Sequence, residues 1–363
     1  MPTEAVVHPL ISVILATRNE RGYIADVLES LVHQYARNFD LEILVVDGKS
    51  TDGTLEIARQ FAADHKNIRV LINENQTTPS AFNLGLVESR GEFVAILGAH
   101  AVYDCDYLST CFAELNTHRA TACGGLVETW PADPSLQAQL VSWLLGHWFG
   151  SSTKSFRTRR EGFADGVNFP VMIRHAVVEL GGYDVQLHRN QDNDLNQRLR
   201  ARGHKLFVTA KTKCRYFSKR SIFGLLQYAF RSGAWNLLSF KKNRRAMSVR
   251  HFVPFLFAFA LCLAVALCIG NHFFPERYHL LVKVPVVVIL GAHLCCGTMA
   301  SFQVAVRKHS FAPLLLAPLF LAFHLAYGLG TCWALLKRQQ LSTWGRNGST
   351  ITHTASALAD ERN

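Results

Sequence analysis

The stretches ISVILATRNE, residues 11–20, and EILVVDGKSTDGT, residues 42–54, decide how the first half of the chain folds. ISVILAT is a continuous apolar run of strand length that stops at polar residues. ERGYIADVLESLVHQ (20–34) then sets Ile24, Leu28, Leu31 and Val32 on one helical face. The pair repeats at once: LEILVVDG (41–48) reads as a second strand. STDGTLEIARQFAADH (50–65) follows as a helix carrying Leu55, Ile57, Ala58 and Phe61, with Ser50, Thr51 and Asp52 as cap candidates. IRVLIN (68–73), TPSAFNLGLVESR (78–90) and GEFVAIL (91–97) continue as strand, helix and strand. This alternation predicts an α/β fold whose parallel sheet is covered by helices on both faces. Ligands of such sheets bind beyond the carboxyl ends of the strands. Those ends read ATRNE, VDGKSTDGT, INENQ and LGAHA, four polar loops expected to meet in one crevice. Neither GxGxxG nor GxxxxGK[ST] occurs, which speaks against a dinucleotide oxidoreductase or a P-loop enzyme.

The whole chain has 363 residues, 49% hydrophobic and 18% charged, a composition that excludes disorder and leaves length for two domains or a domain with a membrane anchor. Its net charge of +11 is local. Residues 205–250 hold twelve Lys or Arg and no Asp or Glu, so the remaining chain sums to −1. A basic block just before a long apolar run reads as a collar at anionic cytoplasmic lipid. Nucleic-acid binding is the rival reading, and no reading motif accompanies the block. Residues 252–275, 284–306 and 309–336 lack Asp, Glu, Lys and Arg, and each window is long enough to span a bilayer. The alternative for these windows is a buried helical core domain, and Pro313, Pro318, Gly328 and Gly330 leave a kinked or re-entrant pair open in the third. Three crossings would put Lys337, Arg338 and Arg346 opposite the collar, whereas an even number returns them to its side. Nine cysteines are scattered without a CxxC pair, as expected for reduced residues facing a reducing cytoplasm. The N-terminus has acid and no basic region before its short apolar run, and so reads as a strand, not a signal peptide.

ISVILATRNE, EILVVDGKSTDGT, RGEFVAILGAH (90–100), GGYDVQLHRNQDNDLNQRLRARG (181–203) and QYAFRSGAW (227–235), in this order and spacing, resemble the inverting, nucleotide-sugar-dependent glycosyltransferases of family 2. The likeness is greatest to the membrane-anchored branch that builds exopolysaccharides such as succinoglycan. That branch shares the basic segment, the apolar entry at Pro254 to Phe257, and a late HxxYGxG, here His324, Tyr327, Gly328 and Gly330. The resemblance implies a GT-A fold at residues 1–220, a basic interfacial helical segment at 221–250, about three transmembrane helices at 251–338 and a polar tail at 339–363. It also implies a multi-pass protein of the cell inner membrane with its catalytic domain in the cytoplasm. Its partners would be a nucleotide-diphosphate sugar, a lipid-linked or polysaccharide acceptor and membrane lipids, with no nucleic acid. The alternative is a catalytically degenerate scaffold that binds the nucleotide sugar without turnover.

By that resemblance Thr17, Arg18, Asn19, Glu20, Asp47, Gly48, Asn75, Asn83 and Ala99 contribute to the nucleotide-sugar site, Glu20 at the ribose or base and Asp47 at the base. Asp47 has a second reading as the cap of the next helix, and Asn83 as a buttress. Most relatives carry an Asp-x-Asp triplet at the fourth strand end to hold Mg²⁺ or Mn²⁺ on the diphosphate. Here the triplet is Gly98, Ala99 and His100, with Asp104 and Asp106 just beyond. His100 is the candidate metal ligand, although one imidazole is a poor site for a hard, oxygen-seeking ion, and Gly98 replaces the usual Asp. The family's catalytic base is the Asp of a Glu-Asp type pair before a helix, which corresponds to Gln191 and Asp192. Asp192 would take the proton of the acceptor hydroxyl while the diphosphate leaves from the opposite face. The loss of a carboxylate at Gln191 leaves the Asp192 pKa less raised than in a two-carboxylate pair. Gln227, Arg231 and Trp235 match the family's diphosphate or acceptor element loosely, and an amphipathic interfacial helix is their other reading. The run 143–152 is a further interfacial candidate.

Overall fold

The computed structural model describes residues 8–36, 38–270, 275–276 and 279–336. Lys337, Arg338, Arg346 and the tail lie outside the described residues. The described chain divides into two compact units, one drawn from residues up to 128 and from 160–216, the other from 129–159 and from the described residues between 217 and 336. Residues 129–159 belong to the unit that holds the apolar helices.

In the first unit, strands and helices alternate as β1 (Leu10–Thr17), α1 (Ile24–Val32), β2 (Asp40–Asp47), α2 (Thr54–Asp64), β3 (Ile68–Ile72), α3 (Thr78–Glu88) and β4 (Phe93–Gly98). Then come β5 (Ala101–Tyr103), α4 (Tyr107–Thr117) and β6 (Ala122–Trp130). After α5 (Leu136–Leu145) and α6 (Trp148–Ser151) of the other unit, the chain returns as β7 (Gly162–Phe163), β8 (Val171–Ile173), α7 (Arg174–Glu179), α8 (Gln191–Ala201) and β9 (Leu206–Phe217).

The sheet runs β3-β2-β1-β4-β8-β6-β9-β5, with β7 on β9. Its first half is parallel, as the alternation predicts, but β8 pairs antiparallel to β4 and to β6, and β5 and β7 pair antiparallel to β9. The sheet is therefore mixed. β1 lies between β2 and β4, and its side chains, which alternate between the two faces of the sheet, are covered on both, with Ile11, Val13, Ile14 and Leu15 fully buried. Above it, α1 buries Ile24, Val27, Leu28 and Leu31. α3 packs Phe82 and Leu86 into a cluster with Ile14, Leu44, Val46 and Ile96. In register, Thr17 faces Asp47 and Ala16 faces Gly98, so β1, β2 and β4 end at one level.

The second unit is helical. α9 (Ile222–Lys242), α10 (Val253–Ile269), α11 (His279–Lys308) and α12 (Leu316–Leu336) join α5 and α6 in it. Three segments, Val249–Ile269, His279–Lys308 and Ala312–Leu336, are long and apolar enough to cross a membrane. They leave large apolar side chains such as Leu256, Phe259, Val287 and Phe302 exposed, as lipid-facing helices do. The run 143–152 is not a free interfacial segment. Leu144 and Leu145 share a buried cluster with Leu225, Leu316 and Phe320, and the His324 Nε2 lies 3.0 Å from the Phe149 carbonyl.

The HxxYGxG residues fix how α12 crosses its neighbours. A Cβ on Gly330 would collide with the Phe230 carbonyl oxygen of α9, and one on Gly328 would collide with that of Pro254 on α10. Gly233 of α9 meets the Tyr327 carbonyl in the same way. Backbones this close exclude any side chain at these positions. Gly330→Ala should lower the stability of the detergent-solubilised protein by about 1–3 kcal/mol, the usual cost of overpacking. Gly291→Ala, on α11 with open space around it, should leave the thermal midpoint unchanged or raise it slightly.

Candidate active site

The loops beyond β1, β2 and β3 are sewn to one another by their own polar groups. Gly48 donates its N–H to the Thr17 carbonyl, Asn19 donates to Ser50 Oγ, and Thr51 donates back to Asn19 Oδ1. Glu20 and Arg21 donate their backbone N–H groups to Thr54 Oγ1 and Asp52 Oδ2. The third loop is tied on by the Asn73 N–H on the Asp47 carbonyl, by an ion pair between Lys49 and Glu74, and by Arg18, whose guanidinium donates to the Gln76 carbonyl at 3.1 Å. Asn19, Lys49 and Gln76 hold left-handed backbone with φ of 56°, 59° and 56°, so each loop turns sharply where it leaves its strand or approaches its helix.

This stitching engages several of the expected nucleotide residues within the loops themselves. The Asp47 side chain is fully buried and accepts from Thr17 Oγ1, from the Ser50 N–H at 2.8 Å and from Ser50 Oγ at 2.6 Å. Its carboxylate is turned into its own loop, not toward an open face. Asn83 is likewise engaged at both ends: its amide donates to the Tyr183 carbonyl and accepts from the Tyr183 N–H, each at 2.8 Å. It buttresses the GGYD turn. Gly182, at φ +69°, is the residue this clamp requires, since a Cβ there would meet Asn83 Oδ1 at 2.5 Å. Thr17 and Ala99 are buried, whereas Arg18, Asn19 and Asn75 are exposed, and Gly48 packs under the Arg18 side chain.

At the end of β4 the Glu20 carboxylate lies 3.3 Å from His100 Nδ1, and the Tyr216 hydroxyl lies 2.9 Å from His100 Nε2. Burial works against a charged ring here, but Tyr216 and Glu20 outweigh it and push the His100 pKa up to about 9. A ring with both nitrogens engaged has no lone pair aimed at an ion. Asp106 is tied to the Thr212 hydroxyl at 2.8 Å, and no cluster of three metal-ligating side chains occurs among the described residues. The groups at this strand end, as arranged, do not fit a hard divalent cation.

Asp192 sits in the first turn of α8. Two clamps hold that helix. The Asn196 amide donates to the Val167 carbonyl at 3.1 Å, and Arg198, paired to Asp194 at 2.8 Å, donates to the carbonyls of Leu180 and Gly182. Asp194 thus serves the turn and leaves Asp192 as the remaining carboxylate. Val167 and Asn168 lead into Phe169, which packs on Gly98, so one short segment joins the α8 clamp to the end of β4. Asp192, Glu20 and His100 are carried by the same unit. Burial alone pushes the Asp192 pKa from 3.8 up to about 6.

Gln227, Arg231 and Trp235 belong to the second unit. Their spacing places them on one face of α9, with Gln227 and Arg231 exposed.

Three site residues have no sequence motif of their own: Phe169, Tyr216 and Tyr103. Only the missing carboxylate at Gly98 hints that something else fills that place.

An ionised Asp192 is costly where it is buried, so its shift works against folding at neutral pH. The cost develops as pH rises from about 3.8 to about 6 and is complete above that. Asp192→Asn should therefore be more stable than the natural chain at pH 7.5, by at most about 3 kcal/mol. The gain should shrink as pH falls toward 4, as denaturation midpoints at the two pH values would show.

Residues 12–180 match the model of the glycosyl transferase family 2. The chain is 28% identical to dolichyl N-acetyl-alpha-D-glucosaminyl phosphate 3-beta-D-2,3-diacetamido-2,3-dideoxy-beta-D-glucuronosyltransferase of Methanococcus voltae, over 69% of this chain and 79% of that one. It is 24% identical to the succinoglycan biosynthesis protein ExoA of Rhizobium meliloti, over 88% and 92%. Among solved structures, the mannosyltransferase PcManGT of Pyrobaculum calidifontis, in complex with GDP-Man and Mn²⁺, shares the fold with a TM-score of 0.54 at 19% identity, covering 92% of this chain and 89% of that one. Residues 12–180 thus match the glycosyl transferase family 2 model on a GT-A fold, in a chain that resembles ExoA.

Proposed function

We propose that the chain transfers a hexose-type sugar from a nucleotide-diphosphate donor to a lipid-linked or polysaccharide acceptor, with inversion, at the cytoplasmic face of the cell inner membrane. The observation that carries this reading is Asp192, a part-buried carboxylate in the first turn of a doubly clamped helix, in the unit that also carries residues 12–128 of the family 2 match. Relatives named for a dolichyl phosphate acceptor and for succinoglycan support an acceptor of this class. The GDP-Man in the Pyrobaculum structure supports a nucleotide-sugar donor. Three helices of spanning length in the same chain support a reaction at a membrane surface.

Inverting transfer is a single displacement at the anomeric carbon. The acceptor hydroxyl attacks from one face, Asp192 removes its proton, and the C–O bond to the diphosphate breaks on the other face. Burial suits Asp192 to proton abstraction, since a carboxylate with a pKa near 6 is a stronger base than a solvated one and is still mostly ionised at neutral pH. The backbone and side chains of Thr17 to Glu20, with Gly48, Asn75 and Ala99, border the donor, while Gln227, Arg231 and Trp235 serve the diphosphate or the acceptor. Asp47 and Asn83 shape the donor loops from behind.

A panel of UDP- and GDP-sugars, screened by thermal shift and then by transfer to a polyprenyl-phosphate-linked acceptor, tests the reading. The rate should rise with pH through about 6, because only the ionised carboxylate accepts the proton. Asp192→Asn should lose about 10²- to 10⁴-fold in rate while nucleoside-diphosphate binding is retained. Donor binding without turnover in the natural chain would instead favour the degenerate scaffold, which Gly98 and Gln191 motivate.

A further inference from the structure

At the end of β4, Gly98 is a gap in side chain only. A Cβ built there would stand 2.7 Å from Cε1 and 3.2 Å from Cζ of Phe169, so the phenyl ring occupies the space into which a side chain at position 98 would extend. The ring is not loose. It stacks on Tyr216 at 5.9 Å and meets Tyr103 edge-on at 6.0 Å. Its backbone is held in the left-handed region at φ 52°, unusual for a bulky residue, and the buried Tyr107 hydroxyl donates to the Phe169 carbonyl at 3.0 Å. The Tyr103 hydroxyl, in turn, accepts the Gly98 N–H at 2.7 Å. A phenyl ring, a clamped imidazole and a backbone turn therefore stand where a metal-holding strand end would present carboxylates.

We propose that this site binds the nucleoside diphosphate without a resident divalent cation: Phe169 fills the first ligand position, the second is closed by the Glu20–His100–Tyr216 clamp, and Arg18 is the group that faces the diphosphate. This rests on the glycosyltransferase reading above and narrows it. Arg18 supports it directly. Its exposed guanidinium leaves the end of β1 and reaches the third loop, a fixed positive charge at the same level of the sheet. The aromatic set around Phe169 also explains why a carboxylate at position 98 alone would not restore an ion site: the ring has to leave before the side chain enters.

The test is UDP and GDP binding to the full chain in detergent, by calorimetry, in EDTA and in Mn²⁺, with electron paramagnetic resonance of Mn²⁺ as a second readout. The dissociation constants should agree within about threefold between the two conditions, with no protein-immobilised Mn²⁺ signal. Arg18→Ala should weaken binding about tenfold in both. The double variant Gly98→Asp with Phe169→Ala should gain about tenfold in affinity when Mn²⁺ is added, whereas Gly98→Asp alone should not. Natural protein that binds about tenfold tighter with Mn²⁺, or only with it, overturns the metal-free site and leaves the glycosyltransferase reading standing. Natural protein that binds neither nucleotide under either condition overturns both.

Discussion

The pairing of β1 between β2 and β4 is the constraint on which the candidate site depends. Parallel registers leave no freedom to slide: a shift of one residue would turn the buried Ile14 and Leu44 outward and break α3 from the sheet. With the registers set, Thr17, Asp47 and Gly98 end level, and the loops that follow start from one line. Their positions then follow from short polar bonds. The buried Asp47 carboxylate gathers Thr17 and Ser50, and Asn19 and Ser50 bridge the first two loops. Such a rim is formed before any ligand arrives, which limits the ordering cost of binding.

The same logic extends to the other wall of the site through two residues with no charge. Asn83 on α3 reaches 100 positions along the chain to hold the Tyr183 backbone, and Asn196 on α8 holds Val167. Amides suit this role because each presents a donor and an acceptor to a backbone that must turn away from regular structure. The charged pair Asp194–Arg198 does the rest at the GGYD turn. Its neutralisation leaves Asp192 without an internal counter-charge within its own helix turn, so burial governs its proton affinity. Gln191 adds no like charge beside Asp192, and burial by itself supplies the upward shift.

How much of this was legible in the sequence depends on the range of the interactions involved. The three strand–helix pairs with the fourth strand, and the three apolar windows, rest on local patterns, and the elements found match them closely, whereas α2 is capped by Gly53 and not by Ser50, Thr51 or Asp52. The antiparallel half of the sheet did not announce itself, because β5, β7 and β8 have two or three residues each and too little length for a period to show. Asp47 and Asn83 illustrate a second limit. The right residue types were visible at the right loops, but whether a carboxylate faces a ligand or its own turn is settled by neighbours such as Ser50 and Tyr183. Phe169 marks the furthest limit, since its bearing on Gly98 spans 71 positions and depends on a left-handed backbone that its residue type does not suggest.

QYAFRSGAW shows how one short segment satisfies two demands at once. Along α9, Leu225, Ala229, Gly233 and Asn236 are buried, and Gly233 takes a backbone crossing with α12 that its lack of a side chain allows. Thr331 Oγ1 donates to the Gly233 carbonyl at 2.9 Å, and the Asn236 amide donates to the Tyr327 hydroxyl. Polar bonds of this kind between apolar helices are worth about 1–2 kcal/mol each at most, because separated helices in a membrane also find partners for their polar groups. They fix the rotation of α9 about its own axis. With that rotation set, Gln227 and Arg231, four residues apart, are held on the exposed side. The small residues of the motif therefore orient its polar ones. The HxxYGxG run and the loose Gln–Arg–Trp element are two halves of a single helix crossing.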